Sequence, residues 1–168
     1  VLESAAERDV TDAENIMTTM NPTGAGVQSL VSRILVATDF SLPSESALEW
    51  GRRLADAFEA KLVLLHVVDI FGLAELGCRM VGGDPLLPIL RKEASDGMQR
   101  WQTRVPGIEG IIVEGSPRPI IVESAVELQC QMIIMGTHGR SGLAHLLMGS
   151  VAEYVVRHSK VPVLTVRA

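Results

Sequence analysis

Aromatic residues are scarce in this chain: Phe, Tyr and Trp together make up 4% of 168 residues. A core must then be assembled from Val, Ile, Leu, Ala and Met, a composition that favours a sheet covered on both faces by helices. Cysteine is rarer still. Cys78 and Cys130 stand far apart, with no CxxC and no metal-ligand spacing, which argues against a disulfide framework or a zinc site and for reduced thiols. There is no run of Lys and Arg. With 15 basic residues against 20 acidic ones the formal charge is -5 and the pI is near 5.4, whereas a nucleic-acid partner demands a basic stripe to match its phosphates. No apolar stretch approaches the ~18 residues of a membrane span, since even Leu62 to Val68 is interrupted by His66. Val1 to Asp12 carries Glu3, Glu7, Arg8, Asp9 and Asp12 with no apolar centre, so it does not read as a secretory signal. The cytoplasm is the expected compartment, with neither membrane nor nucleic acid as partner.

What is present is a hydrophobic content of 47%, enough to fill one domain of ordinary size plus an extension. Residues 1–31 are polar and small and are punctuated by Asn21-Pro22 and Gly24-x-Gly26, which reads as an N-terminal extension and linker. Thr11 and Glu14 fit a capping box for a short helix there, reaching about Thr19. The domain is expected over 32–168. Its first strand is Ile34-Leu35-Val36-Ala37, ending at Thr38-Asp39. A helix follows, capped by Ser41 or Ser44, or started by Ser46 with Glu49, with Ala47, Gly51, Leu54, Ala55 and Phe58 on its apolar face. Leu62 to Val68 has the length and continuity of a buried parallel strand, in which His66 is expected as a hydrogen-bonded core residue.

Ile70 to Pro88 is glycine-rich and aperiodic, and is expected to be a loop. Leu86 to about Thr103 predicts a helix with Leu90, Ala94, Met98 and Trp101 inward and Gly97 as a weakness. Ile108 to Glu114 predicts a third strand, followed by a turn at Gly115-Ser116-Pro117. A helix then starts near Pro119, with Ile120, Ile121, Ser124, Ala125 and Leu128 inward. Five strands alternating with helices imply a parallel, doubly wound sheet with right-handed crossovers. Ligands of such sheets sit at the carboxyl ends of strands where the strand order reverses.

The final 37 residues carry the chemistry. Met132 to Met135 is a short apolar run that breaks on Gly136; glycines recur at 139, 142 and 149, and an amphipathic run from Val151 to about His158 leads to Val161-Pro162-Val163-Leu164-Thr165-Val166. A helix entered through Gly149-Ser150 presents unpaired N–H groups and a positive dipole end, for which phosphate is the natural guest. The glycines are expected to supply positive φ or close approach. Ser150 can cap the helix or donate to a phosphate oxygen, and Arg140 can fork onto the same group. Asp39, at the first strand's tip, is placed to accept from a ribose hydroxyl or hold a metal ion, or else simply caps the helix after it.

The spacing Gly136-x2-Gly139-x9-Gly149-Ser150 is neither a Walker A loop nor GxGxxG. It resembles the G-x2-G-x9-G-(S/T) signature of the universal stress protein family, in its ATP-binding branch, including the flanking text GTHGRSGL and GSVAEYVV. The looser resemblance runs from about Ser32 to Arg167. It implies a five-stranded, Rossmann-like α/β/α sandwich of the adenine nucleotide alpha hydrolase-like kind. It also implies a site for ATP, or ADP or AMP, with Mg or Mn on the phosphates. Adenine is then expected on backbone groups of Val67 and against Ala37, with Thr38 and Met135 also at the nucleotide and Asp39 matching the family's nucleotide-binding aspartate. Ribose and phosphates fall to Gly136, Gly139, Arg140, Gly149, Ser150 and Val151, while His138 either touches a phosphate or faces solvent. Family resemblance further implies a homodimer through the last strand, Val161, Val163, Leu164, Thr165 and Val166. Walker lysine, HIGH, SGGxDS and GxSxG text are all missing, so binding is expected rather than turnover. A nucleotide-free interaction module and a slow ATPase or self-phosphorylating protein are the alternatives.

Overall fold

The computed structural model describes residues 30–75, 86–139 and 148–167. Within them run strands β1 (Arg33–Thr38), β2 (Lys61–Asp69), β3 (Glu109–Gly115), β4 (Met132–Gly136) and β5 (Val163–Val166), with helices α1 (Leu42–Phe58), α2 (Ile70–Glu75), α3 (Leu87–Arg104), α4 (Pro117–Glu127) and α5 (Ser150–His158). All neighbouring strands are parallel, in the order β3-β2-β1-β4-β5. The chain thus winds outward from β1 to β3, then returns to the far side of β1 for β4.

The two-residue side-chain period of a strand divides the core into two layers. Ile34, Val36, Leu64 and Ile134 point to one face, where Ala47 and Leu48 of α1 and Met98 and Trp101 of α3 cover them. Leu35, Ala37, Val63, Leu65, Ile133 and Met135 point to the other, under Ile121 and Ala125 of α4 and Ala152 and Val155 of α5. This is the expected α/β/α sandwich, and it explains why the strands read as continuous apolar runs rather than alternating ones.

Several local expectations are corrected. Helix α1 begins at Leu42 with Ser41 as N-cap and Pro43 in its first turn. Ser44 lies inside the helix with Oγ donating to the Ser41 carbonyl, so neither it nor Ser46 starts the helix. Phe58 is 38% exposed, because the chain turns out through left-handed Glu59 (φ 54°) directly after it. Ile70 to Glu75 is helical, not loop: Asp69 Oδ1 accepts from the N–H groups of Phe71 and Gly72 at 3.1 and 2.8 Å, a side-chain cap that outweighs the glycine. The third strand is displaced by one residue, and α4 starts at Pro117. Val161 precedes β5, held in a turn by Ser159 Oγ. Residues 76–85 of the expected loop, Cys78 and the expected helix near Thr11 lie outside the described residues.

Ile134 is fully buried between α1 and its strand neighbours. Ile134→Ala is expected to lower the urea-unfolding free energy by about 2–5 kcal/mol, whereas Phe58→Ala should cost under about 1 kcal/mol despite its apolar character. Cys130 is also buried, and burial pushes its thiol pKa up, opposed less strongly by the Arg33 charge. In a Cys78→Ser background, iodoacetamide at neutral pH should label Cys130 at least about tenfold more slowly in the native protein than in urea.

Candidate functional site

The reversal of strand order between β1 and β4 leaves a cleft of about 570 Å³ at the carboxyl ends of the strands. Its floor is made by Ala37 and Thr38 of β1 with Asp39 after it, Met135 and Gly136 of β4, and Val67 of β2. His138, Gly139, Gly149, Ser150 and Val151 close one end. Every residue expected at the nucleotide site within the described segments therefore borders one cavity, whereas the β5 residues expected at the dimer edge do not. Arg140 and Gly142 lie outside those segments.

The glycines serve close approach rather than unusual torsion. Among the described residues, only Gly107 and Gly115 are glycines with positive φ, so Gly136, Gly139 and Gly149 are not used for that conformation. A Cβ on Gly136 would lie 2.8 Å from Pro43 Cβ and 3.0 Å from the Pro43 carbonyl carbon. Its lack of a side chain lets the first turn of α1 close onto β4. A Cβ on Gly139 would lie 2.7 Å from Asp39 Oδ2, and one on Gly149 would lie 3.2 Å from the Thr137 carbonyl oxygen. The Gly149 N–H donates to that same oxygen at 2.7 Å, and the Thr137 N–H donates to the Val166 carbonyl at 2.9 Å. These two bonds fix where the glycine loop leaves the sheet and where it rejoins the fold.

Gly149, in extended conformation (φ -74°, ψ 154°), is the N-cap of α5 and makes no side-chain cap. Ser150 is the first helical residue, which corrects its expected role as cap; it is exposed at the cleft. The first bond inside the helix runs from Glu153 N–H to the Gly149 carbonyl. The N–H groups of Ser150, Val151 and Ala152 precede it, so they have no intrahelical acceptor and sit at the positive end of the dipole.

Asp39 organises the turn before α1 and also borders the cleft. Its Oδ1 accepts from Ser41 N–H at 3.1 Å, Ser41 Oγ at 2.5 Å and Ser44 Oγ at 2.9 Å, which organises the β1–α1 turn. Its Oδ2 is turned to Gly139. His66 is half-buried, with Nδ1 at 2.8 Å from the Thr38 carbonyl, and it borders the cleft. His138 is half-buried too and bonds through Nδ1 to Thr137 Oγ1 at 3.0 Å.

Several walls were not foreseen. Leu90, Glu93 and Ala94 of α3, Pro117 and Ile121 of α4, and Asp69 with Gly72 all reach the cleft. They come from elements remote in sequence, and no motif marks them. Thr137, inside the signature, was readable from its place between Gly136 and His138. No group of three or more His, Cys, Asp or Glu able to hold a metal occurs among the described residues. At the far side of the sheet β5 pairs, among the described residues, only with β4, and no described strand lies on its outer edge. No helix among the described residues is long and apolar enough to cross a membrane.

A model of the universal stress protein family matches residues 31–167. The chain is 30% identical to universal stress protein MJ0531 of Methanocaldococcus jannaschii over 148 residues, which is 83% of this chain and 84% of that protein. It is 31% identical to universal stress protein MJ0577 of the same organism, covering 82% and 96% of the two. The solved structure of MJ0577 superposes with a TM-score of 0.69 over 83% of this chain and 97% of that one, at 33% identity. A universal stress protein solved in complex with cAMP superposes with a TM-score of 0.54 over 81% and 96%, at 28% identity.

The two kinds of close approach separate experimentally. Gly136→Ala meets backbone and is expected to lower stability in urea by about 1–3 kcal/mol. Gly139→Ala meets only the carboxylate of Asp39, which can move, and should cost under about 1 kcal/mol. The reverse ranking would contradict this account of the strand junction.

Proposed function

The chain belongs to the universal stress protein family, and from that premise we propose that it is an ATP-binding member, a nucleotide-dependent regulatory protein of the stress response. The observation that carries the reading is the meeting of Asp39, Gly139, Gly149 and the amino end of α5 at one end of a cleft whose other end is apolar. Adenine fits the apolar end, against Ala37, Val67 and Met135, with its ring edge on the backbone of Val67. The Asp39 carboxylate can only accept, which suits ribose hydroxyls. The phosphates lie against the amides of Ser150, Val151 and Ala152, with Arg140 following Gly139 directly in the chain. Each charge-assisted bond of this type contributes about 1.5–3 kcal/mol.

Mg or Mn accompanying the phosphates is held by their own oxygens. When bound, the metal offsets phosphate charge; this chain's part is to bind and orient the nucleotide. The cAMP held by a related protein supports an adenine nucleotide as guest. A homodimer paired through the free edge of β5, acting in the cytoplasm, completes the proposal.

Titration calorimetry with ATP and magnesium is the test. Wild-type protein should bind. Gly149→Val, and the pair Gly139→Val with Ser150→Ala, should weaken binding by more than about tenfold, the loss of one or two such bonds, while circular dichroism still reports a folded domain. No heat with ATP, ADP, AMP or cAMP would replace this reading with a nucleotide-free interaction module. Steady phosphate release that stops in Asp39→Ala would make the protein a slow ATPase instead. In sedimentation equilibrium the wild type should be a dimer, and Thr165→Arg, which charges the β5 edge, a monomer.

A further inference from the structure

Residue 40 is a phenylalanine with φ 62°, the left-handed region. The other non-glycine residues with positive φ among the described ones are Glu59 and Gln129, each directly past the end of a helix, where a left-handed turn is the common stop. Phe40 instead precedes a helix, and for a bulky side chain this conformation is an outlier. Such strain persists only where the surroundings over-determine it, and it gathers at functional sites.

The surroundings here can be named. The Phe40 ring lies 4.5 Å, centroid to centroid, from the His66 ring, and 5.5 Å from that of Trp101 in an edge-to-face arrangement. Beneath it is Gly97, buried in the middle of α3, where a Cβ would come within 2.8 Å of two ring carbons. A glycine inside a helix is unfavourable in itself; at 97 it makes the seat for this ring. Neither Phe40 nor Gly97 borders the cleft, but their neighbours on both sides do: Asp39 and His66 on one, Leu90, Glu93 and Ala94 of α3 on the other.

We propose that Phe40 is a positioning residue for the cleft: its ring, seated on Gly97 between His66 and Trp101, holds residue 40 in the left-handed region and so aims Asp39 at Gly139. The Phe40 N–H donates to Thr38 Oγ1 at 2.9 Å, and the next N–H, of Ser41, donates to Asp39 Oδ1. If residue 40 relaxes to the right-handed or extended region, the peptide that follows it rotates, the Ser41 N–H leaves Oδ1, and the carboxylate loses its orientation. The functional meaning of this device rests on the nucleotide reading above, whereas its geometry needs no ligand.

The test uses Gly97→Ala, Phe40→Leu and the double variant, each in the full chain and checked for folding by thermal melting. Without nucleotide, NMR amide exchange at Ser41 should quicken by about fivefold or more in Gly97→Ala and in Phe40→Leu alike, and the double variant should be no more than about twofold faster than the faster single, since both remove the same seat. With ATP, Gly97→Ala should weaken binding about tenfold, the double variant should add less than about twofold to the larger single loss, and in an Asp39→Asn background Gly97→Ala should add less than about twofold. Unchanged exchange at Ser41 in both Gly97→Ala and Phe40→Leu would overturn the proposal, as would a binding loss equally large without the Asp39 carboxylate. Wild-type protein that shows the Ser41 effect but binds no nucleotide would sink the functional reading and leave the positioning device standing.

Discussion

The close approach of α1 to the tip of β4 is the constraint on which the rest depends. β1 and β4 run side by side with Ala37 opposite Met135, and α1 starts only a few residues after β1, so its first turn must pass directly over the end of β4. Position 136 accepts that passage because Pro43 and the Ser44 amide occupy the space a side chain would take. Once α1 is down, Ser41 and Ser44 are within reach of Asp39 and hold its Oδ1, while Oδ2 stands beside Gly139. Close packing of this kind stores no large energy at any one contact, but it makes the cleft a consequence of the sheet rather than of its loops.

The same packing explains what could be read beforehand and what could not. Strands such as Leu62 to Val68 announce themselves because burial on both faces demands unbroken apolar residues, and the glycine spacing from 136 to 149 marks the loop between β4 and α5. The cleft's remaining walls escaped. Leu90 and Ala94 read as ordinary inward positions of α3, and only the assembled fold shows that the first turns of this helix border the cleft. Gly97 read as a weakness because helix propensity sees the missing side chain and not the ring placed against it. The cap on α2 was hidden for a related reason: Asp69 closes a strand and opens a helix at once, and the glycine-rich text after it dominated.

The cleft divides into two environments that ask for different chemistry. Its aliphatic floor rewards a flat, weakly polar body, while the open turn of α5 rewards negative charge. Gly149 N–H is spent on the Thr137 carbonyl, so among the described residues the amides left without a partner in the backbone at that end are those of the first turn of α5.

The two borders of the sheet are unlike. On β3, Glu109 is bound by Arg33 at 2.5 Å and Glu114 by Arg91 at 2.6 Å, so that side presents fixed ionic groups. On β5, Val163, Leu164, Thr165 and Val166 present none. Charge along a border discourages another backbone from adding to it. Of the two borders, the β5 side is therefore the one less defended against the approach of another strand.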